Sequence, residues 1–195
     1  MRRASRWVRK PLYAGVLVVG LVALAVGLYL FQPWKLWTDE KVDEALPGAA
    51  VSGKPDGPAE PEKPGESAAP GKGGKPAGPT TLASGEFITH EHETTGSAKV
   101  VELQDGSRVL RLQDLNTSNG PDLKVWITDA KVKPGTAGWH VFDDGAHLSL
   151  GELKGNKGSQ NYTLPAGADL DEYSSVTIWC DRFDVSFGAA ELSRA

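Results

Sequence analysis

Cysteine is almost absent from this sequence: of 195 residues only Cys180 carries a thiol. A lone cysteine excludes an internal disulfide and any zinc site built on cysteine pairs. Hydrolase and nucleotide signatures are missing too. There is no Gly-x-Ser-x-Gly, no phosphate-binding Gly loop and no His-Glu-x-x-His. The stretch Gly151 to Gly158 is Gly-rich with Lys154 and Lys157, but no helical pattern follows it, so it reads as a loop. From Thr80 onward acidic residues outnumber basic ones and no basic stripe appears. That argues against nucleic-acid binding, which needs clustered Lys and Arg. Aromatic residues are absent between Asp39 and Pro79. No solenoid-length repeat occurs. After the N-terminal region no amphipathic helix stands out, and Ala168 to Tyr173 reads as one short turn.

What is present divides the chain into parts. Arg2, Arg3, Arg6, Arg9 and Lys10 make a basic tip over residues 1–11. An uncharged run from Leu12 to Phe31 follows, about 20 residues, the length needed to cross a bilayer as a helix. Trp7 and Tyr13 lie at one edge; Trp34, Lys35 and Trp37 lie at the other, as interfacial belts do. A cleaved signal peptide would have a shorter core and a small-x-small site, whereas this run passes into Gln32, Pro33 and Trp34. Arg2 and Arg3 lack the flanking residues of a twin-arginine export signal. Residues 12–32 are therefore expected to be a transmembrane helix partnered by the lipid bilayer. The basic tip should stay in the cytoplasm and the C-terminal part outside, in a single pass of the cell membrane.

Residues 33–80 read as a disordered linker, richest in Pro and Gly from Pro47 to Pro79, with alternating Lys and Glu. About 40 such residues reach on the order of 120 Å extended, or nearer 35 Å as a coil, enough to hold a domain away from the membrane. Residues 81–195 read as an all-β domain, a sandwich or barrel-like antiparallel fold. Alternating runs include Ala98 to Leu103, Arg108 to Leu112, Leu123 to Thr128, His147 to Leu150, Gln160 to Leu164, Ser175 to Cys180 and Val185 to Phe187. Asp105 and Gly106 supply a hairpin turn, and Asn119 to Pro121 a second turn.

Cys180 is the first candidate for chemistry. By period two, Val176, Ile178 and Cys180 share one face of a strand, and Thr177, Trp179 and Asp181 the other. The apolar company favours a core position, where cysteine acts as a small hydrophobe. Asp181 and Arg182 mark the strand end, where a thiol can reach solvent and Arg182 can lower its pKa. His90 and His92 are two apart and on a strand would share a face as weak metal candidates, with Cys180, His140 or His147 to complete a site. Asp143, Asp144, Asp169, Asp171 and Glu172 form acidic clusters that fit no calcium loop and read as turns. Asn116 to Ser118 and Asn161 to Thr163 match the glycosylation triplet, which matters only in a eukaryotic secretory route.

Taken in order, four stretches resemble one family. They are Gly85 to Phe87 with His92 to Gly96; Leu110 to Leu112 through Asn119 to Leu123; Leu150 to Asn156 with Gln160 to Tyr162; and Val176 to Cys180 through Phe183 and Phe187 to Ala190. Together they resemble the DM-thirteen domain, the electron-transfer DM-thirteen family, over about Gly85 to Leu192. The resemblance implies an all-β domain of a kind found in bacteria, here of membrane-anchored type, and in animals beside haem- or sugar-binding DOMON domains. It also implies a redox-active thiol at Cys180, for which Arg182, Trp179 and Asp181 are the expected supporting neighbours. A redox partner protein or a cell-wall component is the expected partner. The other reading is a non-enzymatic binding module for a wall component, a protein or a metal, with Cys180 structural. An enzyme is the least supported reading, since no triad or catalytic carboxylate pair can be placed. The residues name no cofactor.

Overall fold

The computed structural model describes residues 5–48 and 78–195. Arg2 and Arg3 of the basic tip, and residues 49–77 of the expected linker, lie outside them. Helix α1 runs from Ser5 to Phe31, 27 residues. Among the described residues Tyr13–Lys35 is the one segment long and apolar enough to cross a membrane, and none of it is buried. The helix stops where Pro33 denies it a donor and disfavours helical geometry at the preceding residue. Gln32 takes a left-handed conformation, φ 41°, and a short 3-10 helix, Pro33–Trp37, follows.

The rest is mostly β. Its strands are β1 (Lys41–Asp43), β2 (Thr80–Glu86), β3 (Ile88–Thr89), β4 (Thr95–Glu102), β5 (Arg108–Asn116), β6 (Leu123–Thr128), β7 (His147–Glu152), β8 (Lys157–Leu164), β9 (Ser175–Cys180), β10 (Val185–Glu191) and β11 (Ser193–Arg194). They form two sheets, ordered β1-β8-β5-β4-β2-β11 and β3-β10-β9-β6-β7. Every pairing is antiparallel except β1 with β8. The expected all-β sandwich is what the chain builds. The Asp105-Gly106 turn closes as read: Leu103 N–H donates to Ser107 O at 2.8 Å, and Gly106 supplies φ 85°. Ala168 to Tyr173 is a turn, with Tyr173 N–H donating to Asp169 O at 2.8 Å.

Alternation fills the space between the sheets. Val100, Leu110, Leu112 and Leu115 of the first sheet meet Val125, Ile127, Val176, Ile178 and Phe187 of the second in one apolar cluster. A second, smaller cluster lies on the outer face of the five-stranded sheet: Trp126, Trp179, Phe142 and Ala189, with Ala130, Val132 and Val141 packed against it. Those last three, with Phe142, come from the long β6–β7 connection, which covers that face. All six residues of β9 are consequently buried.

The start of the expected linker is not free. Within residues 33–48, β1 pairs in parallel with β8, Lys41 against Lys157 and Asp43 against Ser159. Glu44 N–H donates to Ser159 O at 2.8 Å, and Lys157 N–H to Glu40 O at 3.2 Å. Asn156 Nδ2 donates to Asp39 Oδ1 at 2.9 Å, and Lys157 Nζ reaches Asp39 at 2.6 Å. Lys154 Nζ meets both Glu44 oxygens at 2.8 and 3.1 Å, and Arg111 Nη1 donates to Glu44 O at 3.0 Å. The lysines hold both carboxyls below their usual range, Lys157 that of Asp39 and Lys154 that of Glu44. Gly158 makes the approach feasible. Its φ is 99°, and a Cβ there would run into Val42 O.

Candidate functional site around Cys180

Cys180 is the last residue of β9, opposite Leu123 of β6 and Val185 of β10. It is 0% exposed and belongs to the inter-sheet core with Val176 and Ile178. The period-two assignment of the two faces is borne out. Trp179 lies on the opposite face, 1% exposed, in the second cluster.

Burial pushes the Cys180 thiol above its ordinary value, because a thiolate there would lose hydration. Backbone N–H groups of Phe183, Arg182 and Asp122 act the other way, and the Asp122 carboxylate adds to the rise. Arg182 does act to lower the thiol pKa, but not through its charged side chain. Only its backbone amide acts on the sulfur, its residue is exposed, and desolvation outweighs that help.

The strand end is polar one layer out. Asp181 is ion-paired with Lys124, which lies 3.9 Å from Asp122 Oδ1 as well. The contact with Asp181 leads in holding the Lys124 ammonium above its usual pKa. Asp181 N–H donates to Asp122 O at 3.0 Å, tying the β9–β10 turn to the loop before β6. Cys180 thus sits in apolar packing beneath a lid of backbone amides and one ion pair.

Trp179 begins an aromatic stack that leads away from the sulfur. Its ring lies 5.1 Å from Trp126, tilted 25°, and Trp126 lies 4.4 Å from His147, tilted 10°. Phe142 meets Trp179 edge-on at 6.5 Å. The Trp126 and Trp139 indole N–H groups are buried with no acceptor among the described residues.

The histidines do not converge. β3 ends at Thr89, so period two does not carry through His90 and His92. His90 is buried, and its ring lies 5.7 Å from Phe142. His90 Nε2 is 3.0 Å from the Lys133 carbonyl, which only accepts, so Nε2 carries the proton. Nδ1 then accepts from Ser186 Oγ at 2.8 Å, and Ser186 Oγ is 2.8 Å from Thr177 Oγ1. Burial holds the His90 pKa below its ordinary value, so the ring is neutral with both nitrogens engaged. His92 packs its ring 3.9 Å from Phe187, with Glu91 at 3.5 Å. His140 Nδ1 is 2.5 Å from Asp184 O, and His147 Nδ1 is 3.3 Å from Gly145 O. Among the described residues no three His, Cys, Asp or Glu side chains are grouped to hold a metal.

Asp122 and Ser186 escaped notice in the sequence, and Thr177 was placed on the outer face without a role. Asp122 lies just past the Asn119 to Pro121 turn. Ser186 and Thr177 are polar residues inside otherwise apolar strands, and that was the only available signal.

A family model described as electron transfer DM13 matches residues 86–192. The chain belongs to the DM13 family. The match runs from the end of β2 to Leu192 just past β10 and includes Cys180. It excludes α1 and β1. No curated protein and no solved structure matches the chain.

Proposed function

We propose that this DM13 protein is a membrane-tethered, extracytoplasmic redox module in which Cys180 is the reacting thiol. The observation that carries this reading is the place of Cys180: the DM13 match includes it, it is the chain's one thiol, and it stands at a strand end beneath backbone amides. The basic tip and apolar helix support tethering with the domain outside.

Full burial and a raised pKa mean that the closed thiol is a poor nucleophile. Reaction therefore follows opening of the β9–β10 turn. Once open, the thiol loses its proton to solvent, and the thiolate attacks a disulfide of a partner. One S–S bond forms to Cys180, the partner's own S–S bond breaks, and its second sulfur leaves as thiolate. With a peroxide, the thiolate instead takes one oxygen to become sulfenic acid, and the other oxygen leaves as water after protonation.

The test is to expose the folded full chain in detergent to a small aromatic disulfide, then to hydrogen peroxide, and to weigh it. A reversible adduct at Cys180, cleared by reductant while the domain stays folded, is the expected result. A domain that takes up neither reagent until it is denatured refutes the redox role.

One observation favours a second reading. A cysteine with no exposed surface, packed with Val176 and Ile178, is also how a structural residue looks. The domain would then be a binding module for a wall component or protein. Unchanged cellular function after Cys180→Ala would select it.

A further inference from the structure

We infer that the DM13 domain rests directly on the membrane surface with its β9–β10 turn toward the lipid, and that residues 49–77 join two points of the domain rather than forming a stalk beneath it. This rests on reading α1 as a membrane span.

The chain has no free length between span and domain. Helix α1 ends at Phe31, whose ring stacks on Phe183 of the β9–β10 turn, centroids 5.9 Å apart and planes 22° from parallel. The next ordered piece is the five-residue 3-10 helix Pro33–Trp37. At about 2.0 Å per residue it spans only about 10 Å. Domain contacts begin immediately after it. Asn119 Nδ2 donates to Thr38 O at 3.4 Å, Asp39 is held by Asn156 and Lys157, and β1 joins the sheet. A stalk would need this stretch unpaired.

The surface around the junction suits the lipid–water interface. Trp34 and Trp37 are 50% and 80% exposed, and they flank Lys35. Phe183 stays 44% exposed despite its contact with Phe31. Indole rings beside a cationic side chain are the usual occupants of that interface, where one edge is apolar and the other wet. The patch continues the apolar surface of α1.

The remaining geometry is consistent. Strand β1 leaves the junction alongside β8, away from Cys180's end of the sandwich. The far end carries the Leu103–Ser107 turn and the Pro165–Ala168 turn, linked by Arg108 Nη2 donating to Ala166 O at 3.0 Å and Ala168 O at 2.8 Å. The nine residues of β5 separate the ends by about 30 Å. Residues 49–77 begin after Gly48, beyond β1, and end before Gly78, ahead of β2. Strands β1 and β2 lie four places apart in the first sheet, about 19 Å at about 4.8 Å per strand. A segment of this length can cover that distance.

Resonance energy transfer tests the placement in vesicles of zwitterionic lipid carrying an acceptor-labelled headgroup. The full chain is labelled briefly through Arg182→Cys at the near end or Ala166→Cys at the far end, with buried Cys180 unlabelled. Transfer should be strong from position 182 and clearly weaker from 166. Inserting about 20 Gly/Ser residues after Gly65, which on their own span about 25 Å as a coil, should leave both efficiencies unchanged. Val42→Pro, which blocks the β1 pairing, or Glu44→Ala if that variant misfolds, should lower transfer from 182. A fall in transfer on insertion, or equal transfer from both ends, overturns the inference while leaving the anchor intact. Loss of the chain from membranes in an alkaline wash overturns the anchor, and the inference with it.

Discussion

The two faces of β9 are both closed to water, but by different chemistry. Val176, Ile178 and Cys180 meet an apolar core shared by two sheets. Thr177 and Trp179 meet a mixed layer, in which an aromatic stack lies beside the hydrogen-bonded run Thr177, Ser186, His90 and the Lys133 carbonyl. The inner face is sealed by the fold itself. The outer face is sealed by the β6–β7 connection, whose Val132 N–H is pinned to Glu191 Oε2 at 2.8 Å. The sulfur occupies the better-sealed side, at the end nearest the surface. A thiol placed there is shielded from solvent, whereas Thr177, Ser186 and His90 on the outer face are held in one hydrogen-bonded run.

Among substitutions on the two faces of β9, Trp179→Ala should destabilise most. It empties the centre of the outer layer and should cost about 3–5 kcal/mol, read as a lowered midpoint in urea. A loss below about 1 kcal/mol would mean that the connection collapses onto β9 and the outer layer is plastic.

Cys180→Ser should come next. It buries a hydroxyl among apolar groups and should cost about 1–3 kcal/mol. Cys180→Ala should cost less, because it adds no polar atom. If Ser proves no worse than Ala, the amides of Arg182, Phe183 and Asp122 satisfy the hydroxyl and the inner end is more polar than its packing suggests.

Titration sharpens the contrast from both sides. His90 is held below 6.5, so the unfolded chain takes up its proton first as pH falls. Stability from this group is complete above pH 6.5 and is lost as pH drops toward the folded value. His90→Gln should remove that part of the acid slope in urea midpoints measured from pH 7 to 5. Cys180 is raised above 9.0, and Tyr162 from 10.0 to about 12. Their contributions are complete below pH 9 and are lost as pH rises, Cys180 first. Cys180→Ala should flatten the early part of the alkaline decline.

The smallest effect belongs to Trp126→Phe. The lost ring area is offset because an indole N–H without an acceptor disappears, so the net change should stay within about 1 kcal/mol. A larger loss would show that the stack between Trp179 and His147 holds the outer layer more firmly than the buried N–H weakens it.

Much of this was legible in the sequence, for identifiable reasons. Leu123–Thr128 and Ser175–Cys180 have the bounds expected of them, because β-branched and aromatic residues fill both. The side taken by Cys180 followed from period two. β1 was illegible because Lys41–Asp43 is short, charged and paired with residues more than a hundred positions away. β2 was illegible because Thr80–Glu86 carries Ala, Ser and Gly and is interrupted by a bulge between Thr81 and Ala83. The histidine pair misled because the short strand β3 ends before His90. The net rise of the thiol pKa was illegible because the adjacency of Arg182 says nothing of how deeply the sulfur is buried.

On the proposed redox role, Cys180 becomes reactive through opening of the β9–β10 turn rather than by global unfolding. The direct measurement is the rate at which a hydrophilic thiol reagent labels Cys180 in the intact protein at a series of low urea concentrations. A local opening predicts slow labelling whose urea dependence is far shallower than that of global unfolding. Labelling that follows the global unfolding slope down to zero urea would contradict it and leave Cys180 as a core residue.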